Sequence, residues 1–291
     1  MCIVIEKYFK DHGWVAVKNR DRNYIPELSF ERIEHNGSER LLMQDNITKY
    51  TEGINQQGMG ILSASLMVLD DEKEITVRQK TPSRDGAKIN QALKLPDIKA
   101  AAMFLIKKEL TGNTVIFNSG TLYLLEGAQY KGRYLYKIKK VPHDQTVART
   151  NHGIWLPWAG YQRSDSNESE TLSRISSEAR LKIANYVVNA AQTPEELIDL
   201  LCDTYTDEPQ LNGLRTTKDK KMMRTTAQIM LIPGEQTMFI RPVQSHITFN
   251  FWQLNQPDSH TWVELLSNRV LWQGRRVDEP PFPQMNHNID E

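Results

Sequence analysis

Cysteine is scarce in this chain, because Cys2 and Cys202 are the only two among its 291 residues. Two thiols so far apart do not make the disulfide framework of a small secreted domain, so a reducing compartment is expected. Long apolar runs are lacking as well: no stretch reaches about 18 apolar residues, and the apolar start at 2–5 ends at Glu6 and Lys7, too early for a signal-peptide core. We therefore predict a soluble, cytoplasmic protein with no membrane partner.

The chain also lacks net charge and cofactor motifs. Lys and Arg number 36, as do Asp and Glu, so no overall field attracts nucleic acid, and no nucleic-acid partner is expected. The seven histidines show no zinc spacing, and the glycines form neither a phosphate-binding loop nor a dinucleotide fingerprint. We predict neither a metal site nor a cofactor.

What the sequence does contain is a succession of β-hairpins. Residues 3–9 and 14–18 are β-branched and aromatic and flank a KDHG turn, and Asn36-Gly37 is a strong turn signal between 29–36 and 39–45. Further strands are predicted at 58–69, 113–117, 121–126, 133–141, 224–232, 236–242 and 246–253. Helices are predicted at 97–110, along the apolar spacing from Leu172 to Ala190, and after Thr193-Pro194-Glu195-Glu196.

This order of elements favours mostly antiparallel sheets with helices packed outside them. No internal repeat and no clear linker divides the chain. We predict a single domain at residues 2–275, followed by an extended or disordered tail at 276–291.

The first hairpin gives Cys2 a neighbour. If Asp11 and His12 are the central turn residues, cross-strand partners sum to 23 and Cys2 faces Asp21; a different turn moves the pairing by about one residue. With Met1 removed, the α-amine of Cys2, with a pKa of about 7.7–8.0, can take the proton of its own thiol, with a pKa of about 8.5. Asp21 would then hold the ammonium form. The alternative is a cysteine that is simply a small buried apolar residue.

Several stretches resemble the N-terminal-nucleophile cysteine hydrolases, the linear-amide group that includes choloylglycine (bile-salt) hydrolases, penicillin V acylase and the isopenicillin N acyltransferases. Cys2 with Asn19-Arg20-Asp21 carries the first part of the resemblance, and GINQQGM at 53–59 resembles the family's turn before a strand. Arg149-Thr150-Asn151-His152 resembles the Thr-Asn-His segment of the acyltransferase branch. Arg224 stands where the family places an arginine before a late hairpin. The resemblance covers about residues 2–250.

The resemblance implies an α+β fold, a four-layer αββα sandwich of two mostly antiparallel sheets between helical layers. It implies Cys2 as nucleophile and base, Asp21 as the partner of its amine, and Asn151 as an oxyanion donor. Ser65 would add a backbone N–H to that oxyanion hole, and Arg224 would support Cys2 and Asp21 electrostatically. The implied reaction is hydrolysis of a non-peptide linear amide through a thioester, with a small acyl amide as substrate.

Departures from the family pattern leave the branch and substrate open. Lys18 stands where bile-salt hydrolases carry an arginine, with arginine instead at Arg20, and Ser65 and Ile3 differ from residues common in relatives. An acyltransferase using the same thioester, and a non-catalytic binding protein that retains Met1, are the alternatives. Homo-oligomers are common in such families, although no sequence feature here demonstrates an interface.

Aromatic residues near the Asn151 segment are candidates for an acyl pocket. Trp155 and Trp158 lie in a loop that would cover it, and Trp14 and Tyr161 are further candidates, although core packing is the alternative for each. His152 is interpreted as structural, since an amine base leaves it no necessary role. Glu126 is interpreted as a surface or sheet-edge residue, and Cys202 as buried and inert.

Overall fold

The computed structural model describes most of the chain. The described residues are 2–22, 24, 26–35, 38–66, 84–160, 168–202, 224–242, 250–253, 271–272 and 275–276. The Asn36-Gly37 turn, residues 67–69 and 246–249 of two predicted strands, Tyr161 and the tail beyond residue 276 lie outside them.

Fifteen strands are present in the described residues. In chain order they are β1 (Ile3–Phe9), β2 (Gly13–Arg22), β3 (Leu28–His35), β4 (Ser38–Asp45), β5 (Thr51–Asn55), β6 (Gly60–Ala64), β7 (Gly112–Phe117), β8 (Leu122–Tyr130), β9 (Arg133–Val141), β10 (Val147–Arg149), β11 (Arg224–Ile232), β12 (Thr237–Pro242), β13 (Asn250–Gln253), β14 (Leu271–Trp272) and β15 (Arg275–Arg276).

The strands form two large antiparallel sheets. The first sheet has six strands in the order β10-β1-β2-β11-β12-β13, and the second has seven in the order β3-β4-β5-β6-β7-β8-β9. In the described part of the chain, β14 and β15 form a separate two-stranded sheet. The second sheet follows the chain order, with two helices in the sequence between β6 and β7, whereas β10 and β11 join the first sheet from far along the sequence.

Four α-helices accompany the sheets in the described residues: α1 (Arg84–Ala92), α2 (Ile98–Lys107), α3 (Glu168–Val187) and α4 (Pro194–Leu200). Two of them begin at side-chain caps. The Asp97 carboxylate accepts from the Ala100 N–H at 2.8 Å, and the Thr193 hydroxyl accepts from the Glu196 N–H at 3.2 Å. Each such cap contributes about 1 kcal/mol to a helix start.

Alternation along β1 and β2 defines the layers. Even-numbered residues such as Val4 and Ala16 share a core with apolar residues of the second sheet, so this face lies between the sheets. Odd-numbered residues such as Ile3 and Val17 pack on Ala184 and neighbours from α3 and α4. The outer face of the second sheet packs on α1 and α2. The four-layer αββα sandwich is therefore confirmed.

Most predicted elements are confirmed, with five omissions and one shift. The sequence interpretation missed β5, β10, β14, β15 and α1, and the predicted strand at 58–69 is described as the shorter β6. The first hairpin pairs Ile3 with Asn19, so partners sum to 22 rather than 23. Among the described residues, none of the helices is long and apolar enough to cross a membrane. The single-domain boundary stays a prediction.

Candidate active site

In the first sheet β1 lies between β10, with Asn151 just beyond its end, and β2, which carries Asp21. Extending the register of β1 and β2 by one pair places Cys2 opposite Arg20, so the predicted pairing with Asp21 was wrong by one residue. On the other side of β2, Thr225 pairs with Asp21 and Ala227 with Arg20, leaving Thr226 as a bulge. A bulge bends and twists its strand, and here it lies beside Asp21.

The thiol of Cys2 is buried and faces cations. Its residue is 3% exposed and belongs to the core between the sheets, with the Arg22 Nη1 donating to Sγ at 3.6 Å. Burial raises the pKa of this thiol, but the nearby charges of Lys18 and Arg22 outweigh it and lower the pKa to about 7. A substantial fraction is therefore thiolate at neutral pH, the form that acts as a nucleophile.

The backbone nitrogen of Cys2 is held by Asn151. This nitrogen donates to the Asn151 Oδ1, while the Nδ2 of the same amide donates to the Ser65 carbonyl at 2.7 Å. The Asn151 N–H in turn donates to the Ser177 Oγ on α3 at 3.1 Å. Asn151 thus connects Cys2, at the start of the hairpin, to Ser65, just beyond β6.

The segment that carries Asn151 is itself fixed by Asn113. The Nδ2 of Asn113 donates to the Thr150 carbonyl at 2.8 Å and to the His152 carbonyl at 3.0 Å. Asn113 is buried on β7, a strand of the second sheet. The amide of Asn151 is therefore positioned by both sheets and by α3.

Asp21 faces the helical layer rather than the thiol. Its carboxylate is fully buried, accepts from the Thr225 hydroxyl at 2.8 Å and lies 2.9 Å from the Arg180 Nη1. Its negative charge also acts on Cys2 and raises the pKa of the thiol, although by less than burial does. Arg180, on α3, is a site residue that sequence reasoning missed, because no local pattern links it to Asp21.

Two buried ion pairs cross between the sheets next to Cys2. Lys18 pairs with Glu52, and the Arg20 Nη2 lies 2.6 Å from the Asp45 Oδ2. Burial raises the pKa of Asp45, but Arg20 and a hydrogen bond from Tyr24 lower it to about 2. The first pair fixes Lys18, a cation that acts on the thiol, and Asp45 of the second pair also lies 3.7 Å from the Nε of Arg22, the other such side chain.

The contacts of Lys18 suit an ammonium group. Its ammonium donates to Glu52 and to the Ser63 carbonyl at 2.6 Å, and Glu52 also accepts from the Ser63 N–H at 2.9 Å. An ammonium suits these two separate acceptors, whereas a guanidinium favours one planar, bidentate partner. The charge at this position is kept, and it acts on Cys2.

Arg224 and Ser65 lie at the same end of the molecule as Cys2. Arg224 begins β11 and pairs with Arg22, one residue before the partner of Asp21. The described contacts to the Cys2 thiol and the Asp21 carboxylate come instead from Arg22 and Arg180. Electrostatic support from Arg224 and an oxyanion role for the Ser65 N–H stay predictions.

The loop that carries Trp155 and Trp158 is held by Glu126. This carboxylate is fully buried and accepts from the N–H groups of Ile154, Trp155 and Leu156, at 2.6 to 3.2 Å. The interpretation of Glu126 as a surface or sheet-edge residue was therefore wrong. A strand segment such as LYLLE gives no sign of a partner so far along the chain.

The two tryptophans of this loop differ in their surroundings. Trp155 packs on the core between the sheets, and the Arg149 guanidinium lies 4.9 Å from its ring. Trp158 packs on a small cluster that contains Leu66, next to Ser65, and its ring lies 4.7 Å from that of Tyr130. Trp14 pairs with Tyr8 at the far end of β1, about 20 Å along the strand from Cys2, so it lies in the core rather than at this site.

His152 and Cys202 make structural contacts. The Nδ1 of His152 lies 3.0 Å from the Thr150 Oγ1 and 2.9 Å from the Ser177 Oγ, and burial, with help from Arg174, lowers its pKa to about 4. The side chain is therefore neutral at pH 7.

Cys202 is half-buried rather than buried, and the Arg241 Nη2 donates to its Sγ at 2.8 Å. Within the described ranges, no group of three or more His, Cys, Asp or Glu side chains is arranged to hold a metal ion.

Comparisons with known proteins find similar solved structures but no family match. No family model and no curated protein matches the chain. A penicillin V acylase from Agrobacterium tumefaciens is a structural neighbour at 14% identity and a TM-score of 0.46, covering 86% of this chain and 84% of its own. Two variants of a conjugated bile acid hydrolase from Clostridium perfringens are neighbours at 13% and 12% identity, each with a TM-score of 0.43, covering 88% and 87% of this chain and 93% of their own.

Proposed function

We propose that the chain is an amidohydrolase that cleaves a non-peptide linear amide through a thioester on Cys2, after removal of Met1. The observation that carries this proposal is the separate holding of the two reactive groups of residue 2. Its thiol faces Arg22 and Lys18, which lower the thiol pKa, and its nitrogen is bound to Asn151. A cysteine that only filled the core would need neither arrangement.

The chemistry follows from these two groups. The α-amine takes the thiol proton, and the thiolate attacks the carbonyl carbon, so that a C–S bond forms and the carbonyl electron pair moves to oxygen. Collapse of this intermediate breaks the C–N bond, and the ammonium protonates the departing amine. Water, deprotonated by the same amine, then attacks the thioester and releases a carboxylic acid and the free thiol.

Asn151 is the proposed side-chain donor to the oxyanion. A primary amide nitrogen has two N–H donors, and the one that binds the Ser65 carbonyl leaves the second for a substrate oxygen. The Ser65 N–H is the proposed second donor. Asp21 favours the ammonium form of residue 2 through its charge, while Arg180 and Thr225 keep that carboxylate in place.

The proposed substrate is a small acyl amide whose apolar part contacts Trp155 and Trp158. Both rings are half-buried in the loop that Glu126 holds, so each can present a face to a ligand while the other face packs on protein. No nucleic-acid, membrane or cofactor partner is proposed, and the compartment proposed is the cytoplasm.

Turnover of a panel of acyl p-nitroanilides by variants of residue 2 tests this proposal. Cys2→Ala abolishes release of nitroaniline, because no nucleophile remains, whereas Cys202→Ser, which removes the other thiol, leaves it unchanged. Asn151→Ala lowers kcat by about 100- to 1000-fold, the usual cost of losing one oxyanion donor. Cleavage by the Cys2→Ala protein at the wild-type rate would overturn the proposal.

The acyltransferase alternative is separated by the fate of the thioester. Adding a second amine, such as hydroxylamine, diverts the acyl group only if that amine reaches the intermediate as readily as water does. A hydrolase yields mainly the carboxylic acid at low amine concentration. A covalent acyl adduct on Cys2, seen in the intact mass, excludes the non-catalytic alternative.

A further inference from the structure

Glu6 is a buried carboxyl group that the proposed mechanism does not use. It lies on β1 and is fully buried, and neither of its carboxyl oxygens has a hydrogen-bond partner in the described structure. Buried polar groups almost always have a partner, because burying one without it costs free energy. Glu6 therefore has hydrogen-bonding capacity that no described protein group uses.

Glu6 shares the face of Cys2. Residues 2, 4 and 6 of β1 all point between the sheets, and Cys2 and Val4 belong to that core. Residues 2 and 6 of a strand are about 13 Å apart. A substrate that enters at the thiol and extends along this face approaches Glu6 with its far end.

Arg149 lies between Cys2 and Glu6. It is directly opposite Val4, so its side chain is on the same face, and it is half-buried. Its guanidinium donates to the Ala148 carbonyl at 2.8 Å and stacks on Trp155. Glu6 and Glu126 act on it electrostatically, yet no carboxylate lies within 4.0 Å of it among the described residues. Its fork of N–H donors is thus left with capacity for an oxyanion.

The hydrogen-bond donors at this place favour an anion. Burial raises the pKa of Glu6 to about 8, although Arg149 lowers it, so the carboxyl is mainly protonated at pH 7 and can donate a hydrogen bond. The Glu126 carboxylate is already bound to three N–H groups of the 154–156 loop. A protonated acid and an arginine together offer hydrogen-bond donors, and the Glu126 charge offsets part of the Arg149 charge.

We propose that Arg149 and Glu6 form the inner end of the acyl pocket and select an acyl chain with a terminal carboxylate, so that the preferred substrates are monoamides of dicarboxylic acids. The inner end suits the acyl part, because the amine must leave and water must enter before the thioester is hydrolysed. Trp155 covers the guanidinium and lines the path to it. This inference rests on the proposed function for the position of the acyl group, but the anion preference can be measured without turnover.

Paired ligands test the preference in the Cys2→Ala protein, which binds but does not react. The probes are adipyl p-nitroanilide and its methyl ester, which differ only in the terminal charge, with dissociation constants measured by calorimetry. The acid binds at least about tenfold more tightly than the ester, because a hydrogen bond to a charged group is lost in the ester. Equal affinities would overturn the inference with no further mutation.

Variants of Arg149 test whether this residue causes the preference for the acid over the ester. Adding Arg149→Gln removes the preference for the acid, whereas Arg133→Gln, which removes an exposed charge on β9, keeps it. Arg149→Lys, which retains charge but not the planar fork, keeps part of it and serves if the glutamine variant does not fold. A preference that survives both Arg149 variants would contradict the assignment.

Binding and cleavage together separate a failure of the anion site from a failure of the amidohydrolase proposal. Preferential binding of the acid without cleavage of any amide by the wild-type protein would overturn the amidohydrolase proposal and leave the anion site standing. Cleavage of both probes at equal kcat/KM, with equal binding, would overturn the anion site and leave the amidohydrolase proposal standing.

Discussion

The reactivity of Cys2 depends on cations that reach it from β2. Arg22 contacts the sulfur directly, and Lys18 acts through space from a position fixed by Glu52 and the Ser63 carbonyl. Arg22 is in turn fixed by its bond to the Asp21 carbonyl at 2.7 Å. The balance between burial and these charges is therefore set by individual residues that can be removed one at a time.

Replacing Arg22 with glutamine raises the pKa of the Cys2 thiol above about 7, because one of the cations that offset burial is lost. The measurement is the pH dependence of iodoacetamide alkylation in a Cys202→Ser background, where Cys2 is the only thiol. Arg32→Gln is the matched control, since Arg32 is an exposed arginine paired with Glu39. An alkylation profile that does not move in the Arg22 variant would contradict this account of the thiol.

Some residues of the site can be identified from the sequence, whereas others cannot. The sequence suffices to nominate Cys2 and Asn151, since both stand in motifs with a recognisable order. Arg180 has no such signal: it lies on α3, and only the packing of that helix on the first sheet brings it to Asp21. Arg22 was passed over although it is next to Asp21, because its contact with Cys2 depends on a register that sequence places only to within one residue.

Among the strands, those with a strong local sequence pattern were predicted. Short strands that form only because a neighbouring strand pairs with them were not. The strands β1 and β2 alternate clearly, whereas β10 has three residues and exists because it pairs with β1. The helix α1 contains Gly86, a poor helix former. Its glycine is needed there, because a Cβ at that position would lie 2.2 Å from the Lys49 carbonyl oxygen.

The 154–156 loop is an element whose order depends on one side chain. Glu126→Gln leaves a single oxygen where two carboxylate oxygens serve three N–H groups, and a lost buried hydrogen bond costs about 1–3 kcal/mol. We expect the amides of Ile154, Trp155 and Leu156 to exchange hydrogen faster in this variant. Glu109→Gln, at an exposed carboxylate that binds only Gln129 among side chains, is the control. Unchanged protection of all three amides would show that Glu126 does not hold the loop.

For the whole molecule, Glu6 links pH to stability. Its folded pKa is raised to about 8, while an unfolded glutamate titrates near about 4.3. Between these values the folded state binds the extra proton, so the contribution of Glu6 is fully present below about pH 4 and is lost as pH rises to about 8. Asp199, whose pKa burial raises to about 7 against the effect of Arg241, gives a slope of the same sign.

Glu6→Gln removes the part of this slope that belongs to Glu6. The melting temperature of the wild-type protein is expected to fall more between pH 5 and pH 8 than that of the variant, and the difference between the two curves isolates the one group. If the melting temperatures of the two proteins changed in parallel with pH, Glu6 would be ionised in the folded protein and would have a partner that stabilises its charge.

The proposed enzyme needs a free amine beside an activated thiol at residue 2, and the intact mass of the protein before and after brief stoichiometric iodoacetamide reports on both groups. We expect a mass without Met1 and a single fast alkylation that Cys2→Ala removes and Cys202→Ser does not. A protein that retains Met1 has no amine to act as base, and that result, or alkylation confined to Cys202, would contradict the proposed enzyme.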